Sequence, residues 1–401
     1  MSAPTRENRS GSGEDMERRD WSERIDAVVA AAAAAAADVD AQGRFPQEML
    51  DAARQQLILG AHVPAVHGGL GRSITEICRL VEALGAVCAS SAAVIAMHFS
   101  QELCLTRHVD LEEDTALSRF TCAVAAEQLL LASSTTEKNI GGDTRTSSCA
   151  VVAHDDGSVT VAKSAPVISY GRFADAILVT ARRDPEAPAS GQSLVVVPRE
   201  HLSLERTSEW DALGLRGTMS EGFELEGTVS ADMVLPVDFA TISAQTMLPA
   251  SHTLWASSWL GLATGAGAVA RRFIQKKARS NPGTTPPGAL RLAELEVRIQ
   301  SMIDTVRSSI ARFEDTVHDP ELATSMHFAI AMNTLKVSTS ESVRAIVSEA
   351  MVIVGIASYS NTGPFSLARS LRDAMGPSLQ VNNDRILNSS ASLLTVSKGR
   401  A

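Results

Sequence analysis

The sequence predicts an α+β protein made of a helical N-terminal domain, a small β-barrel middle domain and a C-terminal four-helix bundle. Three observations predict this order. Apolar residues first recur every three or four positions, short segments rich in β-branched residues follow, and helical spacing then returns. At 401 residues the chain is also too long for a single hydrophobic core. The changes of pattern predict a tail at 1–18 and domains at 19–120, 121–240 and 241–401.

The composition excludes some classes of protein. Lys and Arg number 36 against 46 Asp and Glu, which gives a formal net charge of −10. Affinity for nucleic acid depends on basic side chains that neutralise phosphates, so we expect no nucleic-acid partner. No apolar run reaches the length of a membrane-spanning helix, and we expect no membrane binding. The five scattered cysteines form no CxxC pair and predict reduced thiols in a cytoplasmic protein.

The N-terminal zone is predicted to be helical after a polar tail. Residues 1–18 are rich in Gly, Ser and charged side chains and lack the apolar run of a secretory signal, so we expect them to be disordered. The alanine-rich run at 27–37 favours a helix. A glycine-rich turn at 63–71 interrupts the helical pattern. Ser73 and Glu76 then have the spacing of a capping box, which predicts the start of the next helix.

Five short segments in the middle zone predict the strands of a small antiparallel sheet or barrel. They are rich in β-branched residues, are separated by turns such as that at 155–157, and have no helical segment between them. The five segments are 149–153, 158–162, 177–181, 193–197 and 202–205.

Helical spacing in the last zone predicts an antiparallel bundle. The four predicted helices cover 252–274, 291–315, 327–354 and the residues from 367 onward, and Pro and Gly lie in the breaks between them. The order of helices, sheet and helices excludes a Rossmann fold and a TIM barrel, because both alternate strand with helix.

Five segments, in order along the chain, resemble the motifs of one family. They are LGAHVPAVHGGLG (59–71), TTEKNIGGD (135–143), VISYG with a later AD (167–175), LGLRGTMS (213–220) and RDA (372–374). The fourth is similar, almost letter for letter, to the L-G-M-R-G-T-x-S motif. From about residue 20 to about residue 395 the chain therefore resembles the acyl-CoA dehydrogenase superfamily of flavoproteins. The fold of that family has the same three-part order.

The resemblance implies an FAD between the barrel and the bundle, in a homo-oligomer that is a dimer or a tetramer. Thr136 matches a threonine that contacts the flavin ring, and Ser169 keeps the hydroxyl of the threonine that meets flavin N5. Arg279 matches an arginine that reaches the FAD of a neighbouring subunit, and its planar guanidinium suits phosphate oxygens. The full set of implied cofactor-binding residues is Thr135, Thr136, Ser169, Arg279, Gly355 and Asn383.

The carboxylate that would remove the α-proton of an acyl thioester is missing. In most family members a glutamate follows the alanine of R-D-A by seven residues, and here that position is Val381. Some relatives carry the glutamate on the first bundle helix, at a position that corresponds to Ser251. Val167 replaces a tryptophan beside the flavin, and Gly142 replaces a serine near the CoA chain. The resemblance implies that His98, Gly142 and Val381 lie in the substrate pocket.

His252 is the candidate replacement for the missing base, because histidine titrates near neutral pH. The alternative is a histidine that packs at a helix start and bonds to a neighbour. Asn382 cannot act as a base but could hydrogen-bond a substrate carbonyl or the flavin. Asp384 could act as a base or pair with a nearby arginine, and His98 could contact substrate or be a satisfied core histidine. The nine histidines show no metal-ligand spacing, so we expect no metal site.

Three functions are compatible with these residues. The predicted one is an FAD-dependent oxidoreductase of the dehydrogenase type, acting in specialised metabolism on an acyl thioester of CoA or of an acyl carrier protein. The second is a flavin-dependent monooxygenase or oxidase, since relatives that use reduced flavin and oxygen lack the glutamate. The third is a non-catalytic relative that serves as a subunit or binding module.

Overall fold

The computed structural model describes residues 11–138 and 145–397, and it has the predicted order of helices, sheets and helices. Five helices form the N-terminal domain: α1 (Gly11–Gln42), α2 (Gln47–Gln55), α3 (Ile74–Val87), α4 (Ala89–His108) and α5 (Ala116–Glu127). Residues 1–10 of the expected tail lie outside the described part of the chain. Residues 11–18 are helical instead of disordered, because they continue α1 and include Glu, Met and Arg, which favour helix.

The predicted capping box begins α3. The Ser73 hydroxyl accepts a hydrogen bond from the Glu76 N–H at 3.2 Å, and the Glu76 carboxylate accepts one from the Ser73 N–H at 3.0 Å. The glycine-rich turn before it closes on itself through the N–H of Gly71, which donates to the carbonyl of Val63 at 2.9 Å. This local prediction is confirmed down to the two reciprocal hydrogen bonds.

The middle domain consists of two small sheets that contact each other, in the predicted place between the two helical domains. Strand Leu131–Ser134 (β1) lies parallel to Ala176–Arg182 (β4), which pairs in turn with Gln192–Pro198 (β5). The other sheet has the order β2 (Val152–Ala153), β3 (Ser158–Ile168), β7 (Glu221–Ser230), β6 (Leu202–Ser208). The sequence prediction missed β1 and β7. The alternation of apolar and polar residues at 223–229 was the sequence signal for β7.

The C-terminal domain is the predicted helical bundle, with its fourth helix divided in two. Three long helices, α7 (Leu248–Ser280), α8 (Ala289–Asp315) and α10 (Met326–Val354), pack against one another. The shorter ones are α6 (Phe239–Ile242), α9 (Pro320–Ala323), α11 (Ala368–Met375) and α12 (Asn383–Val396). A π-helical segment, Ser243–Met247, joins α6 to α7, and such segments are frequent at functional sites.

A glycine allows α3 of the N-terminal domain to approach α7 of the bundle closely. A Cβ atom added at Gly261 would lie 2.0 Å from the carbonyl oxygen of Glu82, which is a backbone atom and cannot rotate away. The first and last domains therefore share one continuous core.

The LGLRGTMS segment joins the middle domain to α11. The carboxylate of the buried Asp373 accepts a hydrogen bond from the backbone N–H of Leu215 at 2.7 Å. Arg372 donates to the carbonyl of Leu213 at 3.0 Å and forms an ion pair with Asp40 of α1. A Cβ atom at Gly214 would lie 2.3 Å from the Arg372 carbonyl oxygen, so only glycine fits here. All three domains therefore meet at this segment.

The five cysteines are free thiols, and four of them are buried. None of the helices in the described part of the chain combines the length and the apolar character that a bilayer crossing requires.

Candidate active site

A chain of three hydroxyl groups lies where β3 ends and β7 begins. The Oγ atoms of Ser169 and Ser220 are 2.8 Å apart, and Ser220 Oγ is 2.8 Å from Oγ1 of Thr218. Thr218 and Ser220 are buried, whereas Ser169 is half-buried. Ser169 is thus the member of this chain that can reach a ligand, and the other two hydroxyls orient it.

Tyr170 fixes the backbone beside Ser169. Its φ of 44° lies in the left-handed region, which is uncommon for an aromatic residue. Its N–H donates to the carbonyl of Thr218 at 2.8 Å, and its hydroxyl donates to the carbonyl of Leu131 at 2.9 Å. Burial raises the pKa of this phenol, so it remains a neutral donor. Tyr170 is thus held by its backbone N–H and by its side-chain hydroxyl, and this fixes the orientation of the neighbouring Ser169.

Thr136 lies beside the last residues of β3. Its Oγ1 is 3.5 Å from the carbonyl oxygen of Val167, and both Thr135 and Thr136 are half-buried. The side chain of Val167 is 41% exposed. The structure therefore brings two predicted flavin-contacting residues, Thr136 and Ser169, to the same end of β3. Gly142, predicted in the substrate pocket, lies outside the described residues.

Glu137 anchors the segment that carries Thr136. Its buried carboxylate accepts hydrogen bonds from the hydroxyl of Ser147 at 2.9 Å and from the N–H of Ser148 at 3.0 Å. Burial raises the pKa of Glu137, but the hydrogen bonds from Ser148 and Ser147 lower it by more, so its net pKa is below the usual value. The ionised carboxylate thereby holds the Thr136 segment against residues 147 and 148.

Val381, which the sequence comparison predicts at the position of the missing base, occupies an unusual backbone conformation. Its φ is 44°, in the left-handed region, and its side chain is 41% exposed. A left-handed conformation is strained for a β-branched residue, and such strain is concentrated at functional sites. The loop between α11 and α12 presents an apolar side chain here, without a carboxylate.

Lys336 holds this loop from behind and was missed by sequence reasoning. Its side chain is fully buried, and its Nζ donates to the carbonyls of Val381 and Pro377 and to Oδ1 of Asn383. Burial lowers its pKa to about 8. The available signal was a lysine at a position of α10 that the helical spacing places among apolar residues.

His252 is buried between α7 and α10. Its Nδ1 donates to the carbonyl of Met332 at 3.1 Å. Burial is the main cause that lowers its pKa to about 4, and the nearby charge of Lys336 lowers it further. A histidine with that pKa is neutral at pH 7 and is a weak base, so the structure favours the alternative of a packed, hydrogen-bonded histidine.

His98 is fully buried on α4, and both of its ring nitrogens have backbone partners. Nε2 donates to the carbonyl of Leu59 at 2.8 Å, and Nδ1 accepts from the N–H of Leu131 at 3.1 Å. Burial lowers its pKa to about 4. This bonding is that of a satisfied core histidine, the alternative given from the sequence, and the place of His98 in the substrate pocket stays a prediction.

Two neighbouring amides have structural partners. The Oδ1 of Asn382 caps α12 by accepting from the N–H of Asp384 at 2.7 Å. Asn383, a predicted cofactor residue, points into the protein: its Oδ1 accepts from Lys336 at 2.7 Å and its Nδ2 donates to Ser340 at 3.1 Å. Asn383 therefore supports the Val381 loop, and its role in cofactor binding stays a prediction.

Two predicted cofactor residues lie on the surface of the chain. Gly355 ends α10 with a φ of 72° and is exposed. Arg279 is exposed in the last turn of α7. Both positions are exposed, and their role in cofactor binding stays a prediction.

Ser251, the second position predicted for the base, forms a pair with another serine. The Oγ of Ser251 on α7 is 2.8 Å from the Oγ of Ser100 on α4. The two hydroxyls satisfy each other, and neither can remove a carbon-bound proton. Within the described ranges, His, Cys, Asp and Glu side chains form no group of three that could hold a metal ion.

The three-part fold defines a class of helical–sheet–helical enzymes, and comparison with known proteins identifies the family. Residues 15–109 match the model of the acyl-CoA dehydrogenase N-terminal domain, and residues 242–379 match that of its C-terminal domain. The chain belongs to the acyl-CoA dehydrogenase superfamily of flavin-dependent oxidoreductases.

Individual relatives differ in their chemistry. The chain is 25% identical over 344 residues to the amino sugar nitrososynthase DnmZ of Streptomyces peucetius. The match covers 84% of this chain and 82% of DnmZ. It is 24% identical over 347 residues to the cyclohex-1-ene-1-carbonyl-CoA dehydrogenase of Geobacter metallireducens, over 84% and 87% of the two chains. The fold matches FMN-bound TdsC of Paenibacillus sp. A11-2 with a TM-score of 0.80 at 18% identity, over 93% and 97% of the two chains.

Proposed function

We propose that this protein is a flavin-dependent monooxygenase or oxidase that combines reduced flavin with dioxygen. The observation that carries the proposal is the chemistry of the two base positions. Val381 is apolar and Ser251 is bonded to Ser100, so neither position can remove the α-proton of a thioester. Oxygen chemistry at a flavin needs no such carboxylate. We therefore prefer the monooxygenase or oxidase, which was the alternative from the sequence, to the dehydrogenase that the sequence predicted.

The residues at the end of β3 support a flavin. A flavin ring offers hydrogen-bond acceptors and one N–H, and the half-buried hydroxyls of Thr136 and Ser169 supply matching donors and acceptors at one place. Thr135 lies beside them, and the exposed Arg279 suits a phosphate of the cofactor. FAD, implied by the family resemblance, stays a prediction, because TdsC was crystallised with FMN. Release of the bound flavin and its separation by chromatography distinguish the two.

The relatives support oxygen chemistry at such a site. DnmZ is an amino sugar nitrososynthase, and TdsC is a dibenzothiophene monooxygenase. A bound flavin supplies two-electron redox chemistry, and reduced flavin with one O₂ accounts for one oxygen atom in the product and one in water. The role of this chain is then to bind and orient the ring through Ser169 and Thr136 and to close the pocket with the Val381 loop.

Oxygen consumption tests the proposal. The purified protein is mixed with photoreduced FAD or FMN in air-saturated buffer, with candidate amines, thioethers and aromatic compounds. With a true substrate, we expect an oxygenated product to form. We also expect less hydrogen peroxide to be released per oxygen consumed than free reduced flavin releases. If no substrate changes the ratio of peroxide to oxygen consumed, and the protein does not alter the rate of flavin oxidation, the proposal is wrong.

Oxidation of an acyl thioester is the second candidate function. The cyclohex-1-ene-1-carbonyl-CoA dehydrogenase relative favours it, and it retains the substrate class expected from the sequence. His252 would then have to act as the base in spite of a pKa of about 4. Anaerobic loss of the oxidised flavin absorbance on addition of acyl-CoA thioesters, abolished in His252→Gln, would favour this candidate.

A further inference from the structure

The ammonium group of Lys336 is fully matched to the loop that joins α11 to α12. It has three N–H donors, and three acceptors surround it: the carbonyls of Val381 at 2.8 Å and Pro377 at 3.1 Å, and Oδ1 of Asn383 at 2.7 Å. The side chain is fully buried, so water does not compete for these hydrogen bonds. Both ends of the loop are therefore tied to one atom of α10.

The loop needs such a restraint because Val381 is strained. A β-branched residue at a φ of 44° returns to a negative φ unless its surroundings prevent it. Other hydrogen bonds of the loop close its ends: the N–H groups of Leu379 and Gln380 both donate to Gly376, and that of Asn383 donates to Ser378. In the described structure, the carbonyl of Val381 itself is held by Lys336.

The charge of Lys336 is what completes the set of donors. A neutral amine has two N–H bonds and would turn a lone pair toward one of its three acceptors. Burial alone lowers the pKa of Lys336, to about 8. The charge of Lys336 acts on His252 of α7, whose pKa of about 4 leaves it neutral, and no carboxylate of the described chain bonds to Nζ. The third hydrogen bond is therefore lost as the pH rises through 8.

We propose that Lys336 is a positioning residue of the active site, whose ammonium holds Val381 in its left-handed conformation and so sets the wall of the substrate pocket where relatives carry a carboxylate. The location of that pocket rests on the proposed function. The restraint on the loop rests on the hydrogen bonds alone. Removal of the amine releases Val381, and the loop between α11 and α12 then opens.

Hydrogen exchange of the peptide that covers 377–383 tests the restraint in the full chain without flavin or substrate. We expect Lys336→Met to accelerate exchange of this peptide by about tenfold or more at pH 7. Lys163→Met is the matched control. Lys163 is also buried and donates to three acceptors, the carbonyls of Ser134 and Thr180 and the hydroxyl of Thr180. Lys163→Met should lower the global free energy of unfolding about as much as Lys336→Met does, and it should leave hydrogen exchange at 377–383 unchanged.

Two further measurements separate positioning from a general loss of stability. Adding Val381→Gly to Lys336→Met should slow the exchange again, because glycine adopts the left-handed conformation without strain. In the wild type, exchange at 377–383 corrected for its intrinsic rate should increase between pH 7 and pH 9.5, and this measurement remains available if Lys336→Met does not fold. The proposal is overturned if Lys336→Met exchanges like the wild type, if Lys163→Met has the same effect on 377–383, or if the corrected rate is constant with pH.

The consequence for the substrate is measured separately. With a substrate found in the oxygen assay, Lys336→Met should raise KM by about tenfold and change kcat much less, since the pocket wall and not the flavin is disturbed. A fall in kcat with KM unchanged contradicts the positioning role. A protein that shows no oxygen chemistry but exchanges as predicted would contradict the proposed function and leave the restraint by Lys336 established.

Discussion

The carboxylate of Asp373 in α11 accepts a hydrogen bond from the backbone N–H of Leu215 in the middle domain, at 2.7 Å. Asp373 is buried, and burial raises its pKa to about 6 in spite of this hydrogen bond and the nearby Arg369. The two residues belong to motifs more than 150 positions apart, R-D-A and LGLRGTMS. Through this contact, one buried carboxylate connects the bundle to the segment that orients Ser169.

Asp373 should make the fold less stable as the pH rises. A carboxyl with a raised pKa binds its proton more tightly in the folded state, so its contribution is present below pH 3.8 and is lost as the pH rises through 6. The shift of about two units corresponds to about 3 kcal/mol. Asp373→Asn cannot ionise, so its free energy of unfolding relative to the wild type should increase by that order between pH 4 and pH 6.5. Urea unfolding at both pH values measures it, and a constant difference would show that Asp373 is not the titrating group.

The buried histidines should have the opposite effect. His98 and His252 have pKa values lowered to about 4, so the stability they confer is complete above pH 6.5 and is lost as the pH falls toward 4. Each contributes up to about 3 kcal/mol over that interval. His252→Gln should reduce the loss of stability on acidification, as measured by urea unfolding at pH 6.5 and 4.5. The exposed His154→Gln is the control and should not change it.

Ser169→Ala should weaken flavin binding by about tenfold, because it removes one hydrogen-bonding hydroxyl from the site. Ser164→Ala, in the strand that directly precedes Ser169, is the matched control. Ser164 bonds to Glu224 at 2.7 Å on the outer face of the sheet, so its loss should not affect the flavin. Titration by flavin fluorescence, in oxidised and in anaerobically reduced form, gives both dissociation constants. Equal affinities of the two variants would remove Ser169 from the site.

Gly261→Ala should destabilise the protein even though alanine favours a helix by about 1 kcal/mol. The added Cβ atom meets the backbone oxygen of Glu82 at 2.0 Å, so α3 and α7 must separate, at a cost of about 2 kcal/mol or more. Gly267→Ala in the same helix is the control, because its Cβ meets only the end of the Ile299 side chain, which can rotate. Thermal unfolding of both variants decides, and equal melting temperatures would contradict the close crossing.

The order of the domains could be predicted from the sequence because it depends on local periodicity. The capping box of Ser73 and Glu76 and the long bundle helices are confirmed for the same reason. Strand β1 was missed because it pairs parallel with β4 through contacts distant in sequence, and four residues carry too little periodicity. The break before α12 was missed because a positive φ at a valine has no sequence signature.

The sequence could predict site residues only where the identity of a single residue carries the information, such as a hydroxyl that is present or a carboxylate that is absent. Ser169 directly follows β3, and Thr136 lies beside the carbonyl of Val167 near the same end of that strand, whereas their contact with a flavin and the assignment of Val381 to the position of the base stay predictions. The role of His252 depended on burial and on the carbonyl of Met332, which lies 80 residues away. Lys336 was missed because its three acceptors are brought together by folding, two of them backbone carbonyls.

The most direct test of the account is rapid mixing of the protein with flavin in two experiments. In one, protein with reduced flavin meets air-saturated buffer; in the other, protein with oxidised flavin meets acyl-CoA thioesters without oxygen. We predict that the protein changes the rate of reoxidation relative to free flavin, and that thioesters leave the oxidised flavin absorbance unchanged. Rapid loss of that absorbance with a thioester, together with reoxidation at the rate of free flavin, would contradict the account and identify a dehydrogenase.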